Sequence, residues 1–349
     1  MSRSRVLKAI RFEGPDRPPS RTQDILPATF EKHGQRLFDL LDEYPPDMLS
    51  LVPGESARCG AAPVEQPANG RRWMDEWGSL WESADDTMGQ VIRPALASWD
   101  DLASYRLPPA DDPRTFFPAF KARTQSYDKF CTGKIHFGIW NRIMFLRGTE
   151  AALMDLAAET DHVRRLADRI LEYNLELIRQ WTVVPMQVQR VDGIYVTDDY
   201  GLEMHMMMSP KTWRDIFKPR YATLVQAAHA AGVAVQFHSC GDIWPIIPDL
   251  VEMGIDILGP LQAPPLPIQD LGREFAGEVT FLGLVDSKEL MHKGPPNQVA
   301  ERVVECIETL GTSRGGYIAA PTTTIMPDVP FENIEALVRT AGEYQYGNS

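Results

Sequence analysis

The chain has 349 residues, of which 44% are hydrophobic and 24% charged. This composition is typical of a globular protein, and no apolar run approaches the roughly 18 residues that a membrane-spanning helix needs. A formal net charge of -13 argues against a nucleic-acid-binding surface. The four cysteines are widely scattered and the N-terminus lacks a signal-like apolar segment, so we expect a reducing, cytoplasmic location.

The first hundred residues are rich in Pro, Gly and Trp and show weak periodicity. Two helices are predicted there, at Ser4–Phe12 and Ala28–Glu43. Alternating aromatic and polar residues around Asp75–Trp81 predict a pair of strands or a turn region. We therefore predict that residues 1–115 form an N-terminal elaboration packed on a main domain of residues 116–349.

Further along the chain, short apolar strands alternate with amphipathic helices. Strands are predicted at Lys134–Trp140, Gly193–Thr197, Val233–His238, Ile257–Leu261, Val279–Leu284 and Gly316–Ala320. Helices are predicted at Thr149–Ala158, His162–Val183, Pro210–Ala231, Ile243–Met253, Pro296–Leu310 and Pro330–Tyr344. This alternation is typical of parallel βαβ units, and two earlier strands would complete a single (β/α)8 TIM barrel. An open, dinucleotide-binding sheet is disfavoured because no Gly-x-Gly-x-x-Gly turn follows a strand.

The strand predicted at Val233–His238 runs directly into His238-Ser239-Cys240-Gly241. Residues two apart on an extended backbone point to the same face, so the His238 imidazole and the Cys240 thiolate can converge on one ion. Gly241 lets the chain turn away beneath them. The pattern favours zinc. The alternative is that Cys240 packs as a small apolar residue and that His238 is a hydrogen-bonded core histidine.

Polar residues follow the other predicted strands as well. They are Asn141 and Arg142, Asp198 to Tyr200, Gln262, Asp286 and Lys288, and Thr322 to Thr324. In a barrel the carboxyl ends of all strands open onto one mouth, so these residues are expected to surround a single cavity. The alternative is that each Asp or Thr only caps the helix that follows it.

From this arrangement we predict Asp199, His238 and Cys240 as the catalytic residues, with Asp199 orienting His238 or acting as a general acid. The residues predicted to bind substrate are Asn141, Tyr200, Glu203, Met206, Gln262, Asp286 and Thr323. Met204 and its neighbours Met206 to Met208 either fill the core or line a wide apolar pocket.

Several longer runs carry a family resemblance. They include Val191–Gly201, Met208–Trp213, His238–Asp242, Gly283–Asp286 and Gly315–Pro321. Together they resemble the uroporphyrinogen decarboxylase-like superfamily, over nearly the whole chain. True uroporphyrinogen decarboxylases grip the substrate carboxylates with an N-terminal Met-Arg-Gln-Ala-Gly-Arg segment. Here that region reads Arg21-Thr22-Gln23-Asp24-Ile25-Leu26, so the resemblance does not imply that decarboxylation.

The sequence is more similar to the corrinoid-linked, coenzyme M type methyltransferase branch of the superfamily. Those enzymes hold zinc through a His-x-Cys and a late Cys, in some cases with an acidic ligand between. His238 and Cys240 match the first part, whereas Thr323 stands at the late position and Gln262 at the intermediate one. The resemblance therefore implies His238 and Cys240 as ligands with Glu203 as the third. Asp199, Asp198 and the oxygen of Gln262 are the alternatives for that third ligand.

These implications lead to one functional expectation and two alternatives. We expect a zinc-dependent methyltransferase that moves a methyl group between a small methylated substrate and a corrinoid protein or thiol acceptor. No Asp-x-His-x-x-Gly corrinoid motif is present, so the cobamide would be carried by a separate partner protein. A metal-free decarboxylase or lyase for a small carboxylated aromatic or tetrapyrrole-like substrate, using Asp199, Arg142 and His238, is the first alternative. A non-catalytic binding protein is the second, and a monomer or homodimer is expected.

Overall fold

The computed structural model describes residues 2–22, 25–51, 63–65, 71–83, 89–158, 161–183 and 190–346. Strands β1 to β11 are, in chain order, Met48–Leu51, Pro63–Glu65, Arg71–Met74, Leu80–Ser83, Gln90–Arg93, Phe130–Ile135, Gly193–Thr197, Ala234–His238, Ile257–Leu261, Thr280–Val285 and Tyr317–Pro321. Helices α1 to α14 are Ser2–Ile10, Pro27–His33, Gln35–Glu43, Pro113–Gln125, Trp140–Arg147, Thr149–Ala157, Asp161–Thr182, Pro210–Ile216, Lys218–Ala230, Ile247–Glu252, Ile268–Phe275, Leu290–Lys293, Pro296–Leu310 and Phe331–Glu343. No helix within these ranges is long and apolar enough to cross a membrane.

Most strands join one parallel sheet, in the order β1-β6-β7-β8-β9-β10-β11. Strands β7, β9, β10 and β11 are buried along their whole length, because helices cover the sheet where these continuous apolar runs lie. The predicted α/β class with a parallel sheet is confirmed. The sheet of the described residues has seven strands, whereas the prediction was eight.

An extended segment at Pro19–Arg21 contacts both edges of this sheet. The Arg21 N–H donates to the Ala319 carbonyl at 2.8 Å, and the Ala319 N–H donates to the Pro19 carbonyl at 2.8 Å. Next to β1, the Asp47 N–H donates to the Ser20 carbonyl at 2.9 Å. The segment therefore links β11 to the residue that precedes β1, and it brings Arg21 to the sheet.

A second, antiparallel sheet has the order β2-β3-β4-β5. Trp73 and Trp81 are paired across β3 and β4 and their rings stack at 6.0 Å, which confirms the predicted strand pair. In the turn between them, buried Asp75 accepts hydrogen bonds from the Ser79 N–H and the Trp81 indole. Although β1 precedes this small sheet in the chain, it pairs with β6 in the main one. The division at residue 115 stays a prediction.

The predicted strands and helices agree with the structure to within about two residues for β7 to β11 and for most helices. The strand predicted at Lys134–Trp140 is wrong: β6 ends at Ile135, and Trp140 already begins α5. The single helix predicted at Ala28–Glu43 divides at Gly34, whose φ of 58° breaks the helical path. Likewise, the helix predicted at Pro210–Ala231 divides into α8 and α9, since Pro219 in the first turn of α9 has no N–H to continue the helix.

Candidate metal centre

Three potential metal ligands converge at the carboxyl ends of β7 and β8. Asp199 follows β7 by two residues, His238 is the last residue of β8 and Cys240 comes two residues later. Their ligand atoms all lie within 4.8 Å of one another. The His238 Nε2 atom is 3.5 Å from the Cys240 sulfur and 3.7 Å from Asp199 Oδ1. A nitrogen, a sulfur and a carboxylate oxygen thus face a common point.

The imidazole of His238 is held in one orientation by Pro260. Its Nδ1 atom lies 2.6 Å from the Pro260 carbonyl oxygen. Because a carbonyl only accepts hydrogen bonds, Nδ1 carries the proton and Nε2 keeps its lone pair towards Cys240 and Asp199. Burial lowers the pKa of His238, which keeps the ring neutral at neutral pH. A neutral imidazole with a directed lone pair is the form that binds a metal.

The Cys240 thiol is held by the turn that follows β8. The Cys240 N–H donates to Asp199 Oδ1 at 2.8 Å, and the next N–H, of Gly241, donates to Gln262 Oε1 at 2.8 Å. Burial, with the Asp199 carboxylate nearby, raises the pKa of Cys240 to about 12. Without a cation the side chain is therefore a thiol, and a metal would have to displace its proton.

Glycines make the turns after β7 and β8 fit together. A Cβ atom on Gly241 would lie 2.4 Å from the Gly201 carbonyl carbon, and one on Gly201 would lie 2.6 Å from the Cys240 carbonyl oxygen. Gly241 also has a φ of 73°, which side chains disfavour. The backbones of the two turns can touch only because both positions are glycine, and this backbone contact brings Asp199 next to Cys240.

Asp198 supports the site from beneath. It is fully buried and accepts backbone hydrogen bonds from Ile139, Trp140 and Asn141 at 2.7 to 2.9 Å, around the start of α5. Its carboxylate also accepts the hydroxyls of Tyr200 and Tyr221. Although burial raises the pKa of Asp198, these five donors favour its charged form. These bonds fix the chain on either side of Asp199, so Asp198 supports the site rather than contributing a ligand to it.

A cavity of about 190 Å³ opens beside His238 and Asp199. Besides these two residues it is lined by Arg21, Lys134, His136, Phe137, Tyr195, Thr197, Pro260 and Thr322 to Thr324. The Arg21 guanidinium and the Lys134 ammonium lie 4.8 and 5.3 Å from the centre of the Tyr195 ring. One wall is therefore cationic, and the three threonines bring hydroxyl groups to the cavity. The cavity can accept a small polar or anionic molecule next to the three potential ligands.

The predicted site residues occupy different places in this arrangement. His238, Cys240 and Asp199 meet, Thr323 lines the cavity, and Gln262 supports the turn at Gly241. The Asn141 side chain accepts the N–H of Asp199 at 2.5 Å, a contact that orients Asp199, and its role in substrate binding stays a prediction. Glu203 is exposed and lies outside the described group of converging ligand atoms. The described group of converging ligand atoms therefore includes Asp199, one of the alternatives, and not Glu203.

Four other residues predicted for the site do not line the described cavity wall. Tyr200 and Met206 are buried and are not among the described residues of the cavity wall. Asp286 accepts the N–H groups of Lys288, Glu289 and Leu290, which is the helix-capping alternative considered for such residues. Buried Arg142 lies 4.2 Å from the Trp77 ring and 3.9 Å from Asp75, and 5.6 Å from the ring of Phe137 in the cavity wall. A catalytic role for Arg142 stays a prediction.

Most of the cationic wall was not predicted from the sequence. Lys134 and His136 alternate at the end of β6, in a segment that was interpreted only as a strand. Two such polar residues at the end of an otherwise buried parallel strand are the signal that could have identified them. Phe137, which follows, has a φ of 61°, unusual for a bulky residue. Burial and the nearby Lys134 charge hold the pKa of His136 well below its usual value.

The potential ligand atoms fit zinc by their chemistry and by the two separations at His238. Catalytic zinc sites commonly use three protein ligands from His, Cys and carboxylate groups and leave one position open. With zinc bonds of roughly 2.0 to 2.3 Å and tetrahedral angles, ligand atoms lie about 3.3 to 3.8 Å apart. The separations of 3.5 and 3.7 Å at His238 fall in that range.

The parallel sheet, with a polar cavity at the carboxyl ends of its strands, defines an α/β protein of the class whose sites lie at that end of the sheet. The chain belongs to the uroporphyrinogen decarboxylase (URO-D) family, whose profile matches residues 81–344. The predicted superfamily resemblance is confirmed.

Comparison with individual proteins adds a methyltransferase relative. The chain is 26% identical over 137 residues to a methylated-thiol–coenzyme M methyltransferase of Methanosarcina mazei, a match that covers 39% of this chain and 34% of that protein. A solved methyltransferase structure from Methanosarcina mazei aligns over 98% of both chains with a TM-score of 0.72 and 17% identity. A B12-independent methionine synthase from Shewanella sp. W3-18-1 aligns with a TM-score of 0.50 and 11% identity, over 95% of this chain and 94% of the other. At these identities the two structures show a shared fold.

Proposed function

We propose that this protein is a zinc-dependent methyltransferase that acts on a small methylated molecule. The observation that carries the proposal is the convergence of Asp199, His238 and Cys240 beside a small polar cavity. The partial similarity to a methylated-thiol–coenzyme M methyltransferase supports the reaction class. A thiol or a corrinoid protein would be the second methyl carrier, with the cobamide on a separate partner.

Each residue of the site has a role in this reaction. His238, Cys240 and Asp199 would hold the zinc, which when bound lowers the pKa of a thiol so that its anion is available at neutral pH. The Pro260 carbonyl keeps the His238 lone pair directed at the metal position. The methyl group would leave its donor as a cation equivalent, while the bonding pair stays with the donor and the thiolate forms the new C–S bond. Arg21 and Lys134 would orient an anionic end of the substrate.

We also propose that the sheet closes as an eight-stranded barrel. The hydrogen bonds of Pro19–Arg21 to Ala319 and Asp47 support this, because they place an extended segment between the two edges of the sheet. Closure at this position would bring Arg21 from the N-terminal part of the chain to the substrate cavity.

A metal-free decarboxylase or lyase is the second candidate. The cationic wall of Arg21 and Lys134 favours it, since these charges would bind a substrate carboxylate. Arg142, expected to assist this chemistry, does not line the cavity but lies 5.6 Å from the ring of Phe137, which does, and Asp199 and His238 would be the acid–base groups.

Zinc content distinguishes the two candidates. Protein purified without added metal should contain about one zinc per chain. The Cys240→Ala variant should lose it, whereas the matched control Cys306→Ala, which removes a buried thiol from α13, should retain it. Zinc is measured by atomic emission after dialysis. Equal zinc contents in the two variants, or none in the folded wild type, would exclude the zinc-dependent proposal.

Methyl transfer itself is tested with methylcobalamin and a small anionic thiol as artificial substrates. Loss of the methylcobalamin absorbance that depends on both the protein and the thiol supports the proposal. A carboxylated aromatic compound that releases carbon dioxide with the zinc-free protein would support the second candidate instead.

A further inference from the structure

A second cavity, of about 400 Å³, lies at the opposite ends of the same two strands. Its wall includes Asp192, directly before β7, and Val233, directly before β8. Five strand residues at about 3.3 Å each separate these positions from the candidate metal centre, which is roughly 17 Å away. The two cavities therefore open at different ends of the sheet, and the proposed methyl transfer does not use this one.

Arginines from four separate parts of the chain line this cavity. They are Arg3 on α1, Arg11 just after α1, Arg123 on α4, and Arg190 before β7. One carboxylate, Asp192, accompanies them among the lining residues, so the formal charge of that wall is 4 - 1 = +3. In a chain with a net charge of -13, this is a local reversal of sign.

The Asp192 carboxylate already forms hydrogen bonds with two of these arginines and with a backbone N–H group. Asp192 Oδ1 accepts the Arg3 Nε–H at 2.6 Å, and its Oδ2 accepts Arg123 at 3.2 Å and the Cys131 N–H at 2.9 Å. Asp192 thus holds two guanidinium groups in place and neutralises one charge. Of the three net positive charges, one stays on the Arg3–Asp192–Arg123 group and the other two lie on Arg11 and Arg190.

Neither of these arginines forms an ion pair with a described residue. Arg11 is exposed, and Arg190 donates one hydrogen bond, to the Ala231 carbonyl at 2.5 Å. Residues 184–189, which precede Arg190 in the sequence, contain no Asp or Glu. Guanidinium groups held close together without enough carboxylates are the arrangement that binds phosphate groups, because each offers a planar pair of N–H donors.

The remaining wall suits the organic part of a ligand. Leu7, Val191 and Val233 give it an apolar surface, and Tyr127, with 76% of its surface exposed, stands at the cavity. Exposed tyrosines next to cationic groups offer a flat face on which an aromatic ring can stack. A cavity of 400 Å³ is within the size range of small-molecule sites.

We propose that this cavity binds a phosphorylated small molecule of the nucleotide class. The phosphates would lie against Arg11 and Arg190, beside the Arg3–Asp192–Arg123 group, and the ring against Tyr127. The site would be separate from the candidate metal centre, so its occupation would not require zinc.

Calorimetric titration of the full-length protein with ADP, at low salt and without divalent cations, tests the site. ADP should bind with a Kd below about 1 mM. The Arg11→Gln/Arg190→Gln double variant should bind at least about tenfold more weakly, with an unchanged Tm. The control Lys32→Gln/Lys121→Gln removes the same charge from exposed positions outside the cavity and should bind ADP as the wild type does.

Pyrophosphate, which lacks the ring, separates the two parts of the proposal. Tyr127→Ala should weaken ADP binding several-fold and leave pyrophosphate binding unchanged. Loss of ring dependence would reduce the site to one for inorganic phosphate groups and overturn the nucleotide assignment. Absence of ADP binding, or equal weakening in the arginine and lysine double variants, would overturn the site itself. Zinc content plays no part in either measurement, so the result is independent of the proposed methyl transfer.

Discussion

The two ends of β7 and β8 differ in how their charges are balanced. At the carboxyl ends, Asp199 meets a neutral histidine and a protonated thiol, so one carboxylate faces neutral partners that a cation can join. At the amino ends, Asp192 is surrounded by arginines and the excess charge is positive. The length of one strand thus separates a carboxylate beside neutral groups from a carboxylate among arginines, and we expect that each end can be changed without affecting the other.

The largest effect is expected from His238→Ala. Removal of the directed imidazole should abolish zinc binding and reduce methyl transfer at least about 100-fold, because only two ligands remain. Rates are measured with methylcobalamin and a thiol, and zinc by atomic emission. Arg190→Gln, at the opposite strand ends, is the control and should keep both. A fall in both properties in the Arg190 variant would show that the two ends are coupled.

The two buried aspartates provide a paired comparison of stability. Asp198→Asn places amide N–H groups among five donors, and Asp192→Asn leaves buried Arg123 without a charged partner. Each should lower the free energy of unfolding by about 2 to 4 kcal/mol, measured by urea denaturation. Asp198→Asn should in addition reduce zinc affinity, since it displaces Asp199. If Asp192→Asn reduced zinc affinity equally, Asp198 would have no specific positioning role.

The free energy of unfolding should fall at low pH because His136, near the candidate metal centre, resists protonation in the folded protein. Burial holds the pKa of His136 well below its usual value, so the folded protein keeps it neutral while the unfolded chain takes up a proton below about pH 6.5. The free energy of unfolding should therefore fall as the pH drops from 6.5 towards 5, by up to about 1.4 kcal/mol per pH unit from this group. His136→Gln should flatten the dependence in that range. An unchanged slope in this variant would mean that His136 titrates alike in both states.

The smallest effect is expected at Glu203. Because Glu203 is exposed and separate from the converging ligand atoms, Glu203→Gln should change zinc affinity less than about twofold. Asp199→Asn, the matched amide substitution, should weaken it at least about tenfold. Competition with a chromogenic chelator measures both. The reverse order would restore Glu203 as the third ligand.

Most of the sheet was predictable because its central strands are continuous apolar runs between helices. Strand β1 was not, since four residues after a Pro-Pro pair give too little pattern. His238 and Cys240 could be identified from their spacing along one strand. Asp199, the proposed third ligand, could not be singled out, because its place depends on the loop after β7. There Leu202 and His205 form a hydrogen-bonded turn, Gly201 pairs with Met206, and Glu203 lies outside the converging group. Which acidic residue lies beside His238 and Cys240 depends on tertiary contacts, and the spacing of residues along the sequence does not show these contacts.

The contact between Gly201 and Gly241 has a consequence for anyone who would transplant this site into another scaffold. Two backbone segments touch there without side chains between them, so the separation of Asp199 from Cys240 is set by main-chain packing. Copying the three ligands onto a different parallel sheet would not reproduce their spacing. Both loops would have to be moved as one unit, with their glycines, and a single alanine at either position would push the carboxylate and the thiol apart.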